Sequence, residues 1–292
     1  MMGPAYGQGG TIAGQMLDQA TRRPLGFVSV GVLRQPFGTV ADAQGKFQLR
    51  LPTSYDADSV RFSLIGYASR TLRVADLRRA VAAGPLLLRA QAVPLTEARV
   101  QAKNLKRQVL GNSTPGITLR MDGFDNNMAG NQIGQLISIK KPAFLESVAI
   151  RPSHFDYDTV CFRLNIYKLC NDYPAENILP KSIFWVVTYE QAQGRVSLDL
   201  RPYHLYLTED VVITLELVNS LGPGKLWFRQ PVAGGGPHYR LEQTPGPGTA
   251  SNVVPTGWVD SHDLKVPQPG GPWVKYPNVG VGIRAVVLQQ PD

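Results

Sequence analysis

The residues with catalytic or ligating chemistry are few, and their spacing matches no known constellation. Four histidines, His154, His204, His238 and His262, and two cysteines, Cys161 and Cys170, are the whole supply of imidazole and thiol groups. A zinc carboxypeptidase needs a His-x-x-Glu pair, a distant third ligand and a further Glu as base; none of the four histidines has Glu three positions on. There is no Gly-x-Ser-x-Gly elbow, and neither cysteine sits beside a local base or a helix start that would make a thiolate. Cys161 lies among alternating apolar residues and reads as a core side chain. If the stretch between the cysteines is extended, at ~3.3 Å per residue they stand roughly 30 Å apart, so they read as two free thiols. The carboxylate pairs Asp156/Asp158 and Glu209/Asp210 read as turn residues, and the Gly run at 234–236 lacks the Lys-Ser/Thr of a phosphate-binding loop.

Two binding constellations remain. "RMDGFDNNMAGN" gathers Asp122, Asp125, Asn126, Asn127 and Asn131, oxygen donors of the kind calcium takes, without the order of an EF-hand. Calcium at Asp122, Asp125 and Asn126 is the one cofactor the sequence suggests; an Asx-rich turn accounts for the same residues. The second constellation is aromatic. Trp258, Trp273 and Tyr276 fall in or beside a long Gly/Pro-rich loop, where flat rings can stack on a sugar face while Asp260, His262 or Asp263 bonds its hydroxyls. Trp185 and Trp227 sit in strand patterns and read as interior.

Charge is distributed unevenly along the chain. Residues 1–115 carry fifteen Lys/Arg against six Asp/Glu, while the remainder carries fifteen against sixteen. The excess can attract phosphates, lipid headgroups or an acidic partner, or simply be a solvated strand face. It has neither the RNA-reading strand motif nor zinc-finger spacing, so nucleic acid is not an expected partner. No apolar run is long enough for a membrane helix. Residues 1–9 include Ala5-Tyr6-Gly7, the small-x-small form of a signal peptidase site, and read as a leader or the remnant of a signal peptide.

The elements that must position these groups are strands. From Thr11, short alternating segments recur every 8 to 14 residues between turn formers, the pattern of an all-β sandwich. In "GTVADAQGKFQLRLP" the Asp42 to Gly45 turn predicts a tight hairpin, with Phe47, Leu49 and Leu51 inward and Lys46, Gln48 and Arg50 outward. "DLRRAVAAG" is the one short segment with helical character.

The order "GQMLDQATRRPLGFVSVGV", "GTVADAQGKFQLRLP" and "VRFSLIGYASRTLRV" resembles the carboxypeptidase regulatory-like domain, through Asp42, Gly45 and Phe47 and through Ile65-Gly66-Tyr67. The resemblance implies a seven-strand, prealbumin-like sandwich of the kind found in secreted and outer-membrane proteins of Bacteroidetes-type bacteria. It further implies a stability or adhesion module with no active site of its own. In TonB-dependent receptors such a domain precedes a plug and a barrel, and Pro94 to Ala102 resembles the segment that follows it there. The rest of this chain is too short for a barrel of that size, so the segment is expected to be a last strand of the sandwich.

The expected organisation is therefore the regulatory-like domain over 10–102, a linker over 103–116 and a larger, jelly-roll-like β-sandwich over 117–292. Within the last, "FDYDTVCFRLNIY" and "SLDLRPYHLYLTEDVVITLEL" resemble the uncharacterised C-terminal sandwich attached to such domains. The expected function is a non-enzymatic, extracytoplasmic binding or structural module of the periplasm, outer-membrane surface or medium, with a glycan or an envelope protein as partner. The alternatives are a hydrolase assembled from distant residues of the second domain and an anion-binding accessory protein.

Overall fold

A computed structural model describes residues 10–33, 35, 37–91, 105–111, 118–126, 128–231, 238–241, 273–276 and 282–290. The leader at 1–9 and the segment from Pro94 to Ala102 lie outside the described residues.

Among the described residues the first sandwich has seven strands: β1 (Gly10–Asp18), β2 (Ser29–Val32), β3 (Gly38–Val40), β4 (Lys46–Leu51), β5 (Ser59–Ser63), β6 (Arg70–Arg73) and β7 (Leu86–Leu88). They form one sheet in the order β4-β1-β7 and another in the order β3-β2-β5-β6. Alternation along β4 buries Phe47, Leu49 and Leu51 and exposes Lys46, Gln48 and Arg50. Those three pack with Ile12 and Met16 from their own sheet and Val30, Val60 and Phe62 from the facing one.

The turn at Asp42 does something other than close a hairpin. β3 pairs with β2 and β4 pairs with β1, so the turn carries the chain from one sheet to the other. The Asp42 carboxylate accepts from the amides of Gln44 (2.9 Å) and Lys46 (2.8 Å). Gly45 has φ of 74°, and a Cβ there would stand 2.5 Å from the Met16 carbonyl oxygen, so both conformation and space require glycine.

One helix, α1 (Val74–Ala83), follows β6 and buries Val74 and Leu77 against the core; Gly84 ends it at φ of 146°. The Ile65-Gly66-Tyr67 motif has an equally local cause. Gly66 turns the chain at φ of 88°, and Tyr67 donates to Asp18 Oδ2 at 3.0 Å. Asp18 in turn accepts from the amides of Ala20 and Thr21, and these backbone bonds lower its pKa.

Among the described residues the second part holds fifteen strands. The first eight are β8 (Lys106–Gly111), β9 (Thr118–Asp125), β10 (Gln132–Ile137), β11 (Ala143–Ile150), β12 (Pro152–Phe155), β13 (Thr159–Cys170), β14 (Tyr173–Asn177) and β15 (Ile183–Thr188). After a single-turn helix, α2 (Tyr189–Ala192), come β16 (Val196–Asp199), β17 (Tyr206–Leu207), β18 (Val211–Leu221) and β19 (Lys225–Pro231). The last three are β20 (His238–Leu241), β21 (Trp273–Tyr276) and β22 (Ile283–Gln289).

A seven-strand sheet runs β14-β13-β18-β10-β20-β21, with β15 also on β13. A five-strand sheet runs β16-β11-β22-β8, with β17 also on β11, and a third has the order β12-β19-β9. Phe162, Leu164 and Ile166 of β13 and Ile213, Leu215 and Leu217 of β18 share one core with Leu145 and Val148 of β11 and Ala285 and Val287 of β22. Sheet therefore packs on sheet. Within the stretch expected to be a linker, Lys106–Gly111 is instead edge strand β8, paired with β22 and tied by Arg107 Nε to Glu146 Oε2 at 2.7 Å.

The two parts are in contact. Ile65 of the first joins the apolar cluster of the second, and Phe27 packs on Phe184 with ring centroids 4.8 Å apart.

Candidate functional site

Trp258 and Asp260, two of the four residues of the aromatic constellation, lie outside the described residues, as do His262 and Asp263. Trp273 and Tyr276, beside the loop, are the two ends of β21, which pairs antiparallel with β20, Trp273 opposite Leu241 and Tyr276 opposite His238.

Asp122 and Asp125 lie on β9, opposite Phe228 and Lys225 of β19, and Asn126 begins the turn that follows. That turn uses its own oxygens. Asn126 Oδ1 accepts from the Gly224 amide at 3.0 Å, and Asp125 Oδ1 accepts from the Asn126 amide at 2.6 Å. Among the described residues no three His, Cys, Asp or Glu side chains converge as a metal-binding group.

Among the described residues the largest assembly of polar side chains lies elsewhere, on the face of the seven-strand sheet opposite its core. Strand register sets it up. Arg163 of β13, Glu216 of β18 and Gln132 of β10 stand in one row, and Asn165, Thr214 and Gly134 stand in the next. Side chains two apart on a strand share a face, so both rows and Tyr167 project together. Burial is nearly complete: Thr214 is 0%, Arg163, Asn165 and Glu216 are 3%, and Gln132 is 6% exposed.

Burial without hydrogen bonds would be costly, and these groups are densely bonded. Gln132 Oε1 accepts from Thr214 Oγ1 at 2.7 Å, Tyr167 Oη at 3.1 Å and Asn165 Nδ2 at 3.2 Å. Asn165 Nδ2 also reaches Glu216 Oε2 at 3.3 Å, while Asn165 Oδ1 accepts from Asn177 Nδ2 at 2.9 Å. Arg163 donates through Nε to Glu216 Oε2 at 2.9 Å and through Nη2 to Glu216 Oε1, a bidentate ion pair.

The first sandwich completes this pair. Arg163 Nη1 donates to the Phe27 carbonyl oxygen at 2.8 Å, and Nη2 donates to Ser29 Oγ. Ser29 Oγ also lies 3.4 Å from Glu216 Oε1, as donor. A guanidinium of the second part thus bonds a backbone carbonyl and a hydroxyl of the first. Beside this junction runs an open groove of about 730 Å³, lined by Thr39, Lys46 and Gln48 from the first sandwich and by Ala129, Val218 and Asn219 from the second.

Sequence reasoning missed this network. Its signal is the coincidence of Arg163, Asn165 and Tyr167 in one long apolar strand with Thr214 and Glu216 in another, all at even spacing. Cys161 belongs to the same outer face and is half-buried, not in the core with Val160 and Phe162; burial raises its thiol pKa. Neither Cys161 nor Cys170 is in a disulfide, as their spacing implies.

Of the strand tryptophans, Trp185 is buried as expected, whereas Trp227 is half-buried on the face away from Leu226 and Phe228. It lies against His154, centroids 5.1 Å apart, and His154 Nε2 meets Asp156 Oδ2 at 2.7 Å. Nearby, Tyr157 is fully buried and its hydroxyl finds no hydrogen-bond partner among the described residues. Burial, helped by the negative charges of Asp125 and Asp156, pushes that phenol up to about 12.

The first part is thus a two-sheet, seven-strand sandwich whose signature residues close turns and carry no reactive group. Residues 12–100 match the family model of the CarboxypepD_reg-like domain, and the first sandwich is a member of that family. No curated protein matches the chain. Among solved structures, the chain has 9% identity to one described as the structure of infectious bursal disease virus Gt strain, over 97% of this chain and 64% of that one, with a TM-score of 0.20. It has 7% identity to the infectious bursal disease virus VP2 subviral particle, over 91% of this chain and 62% of that one, with a TM-score of 0.18. The chain therefore spans less than two thirds of either. No helix among the described residues is long and apolar enough to cross a membrane.

Proposed function

We propose that the chain is a non-enzymatic structural or binding module of the bacterial cell envelope, in which a CarboxypepD_reg-like domain is held firmly against a larger β-sandwich. The observation that carries this reading is the junction, where Ser29 and the Phe27 carbonyl saturate the buried Arg163–Glu216 pair. A buried bidentate pair that draws its remaining partners from a neighbouring domain fixes one mutual orientation, which suits a part that presents a surface or transmits load. The family of the first domain supports an extracytoplasmic location. A glycan is the proposed partner, through Trp258, Trp273, Tyr276 and Asp260, with an envelope protein as the other choice.

Two measurements test the proposal. Fractionating the source cells and probing for the chain should recover it from the envelope or the medium; recovery from the cytosol alone overturns the location. A glycan array should show binding that Trp258→Ala abolishes, and blank arrays for both proteins remove the glycan.

A further inference from the structure

Thr214 and Gln132 pair an alcohol with a carboxamide inside a site closed to water, and their surroundings have the parts of an acyl-transfer centre. The Thr214 hydroxyl oxygen lies 2.7 Å from Gln132 Oε1. With a C=O bond of ~1.2 Å, it is therefore at most about 3.9 Å from the carboxamide carbon it would attack. Two further donors, Tyr167 Oη at 3.1 Å and Asn165 Nδ2 at 3.2 Å, point at the same carbonyl oxygen. Both are placed to withdraw electrons from the carbonyl and to bond the oxyanion that addition would create. Glu216 stands directly opposite Gln132 in the strand register and two residues from Thr214 on the same face of β18, and Asn165 Nδ2 bridges Glu216 Oε2 to Gln132 Oε1. Arg163 and Asn165 hold that carboxylate in place.

We propose that Thr214 and Gln132 react to form an ester that ties β10 to β18, with Glu216 as proton carrier and Tyr167 and Asn165 as the oxyanion donors. Thr214 Oγ bonds to the Gln132 carboxamide carbon and gives its proton to Glu216. The tetrahedral intermediate collapses with loss of the C–N bond, and Glu216 returns the proton to the departing nitrogen, which leaves as ammonia. No oxidant, reductant or cofactor enters the balance. The structure describes the unreacted pair, and the burial that aligns the two groups also keeps water from the product ester. The bond would close a loop between residues 82 positions apart in the two central strands, directly behind the junction with the first domain.

Intact-mass and peptide mass spectrometry of the full chain test this. The wild type should weigh less than its sequence by one ammonia, and the tryptic peptides that carry Gln132 and Thr214 should run as one joined species that hydroxide separates. Thr214→Val, which keeps the side-chain shape, should restore the full mass and the separate peptides, whereas Thr214→Ser should retain the link. Glu216→Gln should slow its formation. A wild type at full sequence mass overturns the proposal, and so does a missing ammonia with the two peptides running separately.

Discussion

Ser29 Oγ of the first sandwich accepts a hydrogen bond from Arg163 of the second, and the same guanidinium grips Glu216 with two of its nitrogens. Three strands that are far apart in sequence, β2, β13 and β18, thereby share one buried charge pair. Desolvating two ions is expensive, and the arrangement holds because every guanidinium nitrogen has an acceptor.

Removing one partner leaves the other charge buried and unpaired. Arg163→Ala should cost about 3–5 kcal/mol in urea unfolding. The double replacement Arg163→Met with Glu216→Leu should cost less than either single truncation, since both charges then leave together. Equal or greater loss in the double variant would show that the pair is held for its attraction alone.

Gly45 is required twice over, by its positive φ and by the Met16 carbonyl oxygen 2.5 Å from the place of a Cβ. Gly45→Ala should lower stability by about 2 kcal/mol or more, read from the thermal midpoint. An unchanged midpoint would mean the turn between the sheets can relax.

Much of this architecture is legible in the sequence. Alternation in "KFQLRL" and the turn at Asp42 follow from side-chain period and glycine conformation, which are local properties. The helix at "DLRRAVAAG" was visible for the same reason. What failed was whatever depends on a remote neighbour. "KRQVLG" reads as a linker because an edge strand with exposed side chains has no apolar period, and only pairing with β22 makes it a strand. The Asp42 turn reads as a hairpin because sequence does not say that its flanking strands belong to different sheets. Arg163, Asn165 and Glu216 drew no reading from the sequence, because only the packed structure shows their face of the sheet to be buried. Of the aromatic constellation, Trp258 and Asp260 lie outside the described residues, and Trp273 and Tyr276 stand on a strand beside the loop.

Tyr157 buries a hydroxyl with no partner among the described residues, which costs its desolvation and returns nothing. Tyr157→Phe should be neutral or stabilising by about 1 kcal/mol in urea unfolding at neutral pH. The phenol is raised to about 12 in the fold against about 10 in the unfolded chain, so wild-type stability should hold below pH 10 and fall as pH rises toward 12. The Phe variant should lack that part of the alkaline loss.

Asp199 shows the opposite sign. The Arg201 guanidinium and amide hold its carboxyl down to about 2. Its contribution is therefore present above the ordinary carboxylate range and is lost as pH falls through about 2. Acid unfolding curves should show a shallower loss for Asp199→Asn than for the wild type between pH 4 and 2. Superimposable curves would mean that solvent screens this exposed pair completely.

The two sandwiches act as one body through the Ser29–Arg163–Glu216 contact. Scanning calorimetry of the full chain reads this directly. A single transition is predicted for the wild type, with matching calorimetric and van't Hoff enthalpies, resolving into two for Arg163→Ala. Two separate transitions in the wild type, unmoved by that substitution, would contradict it.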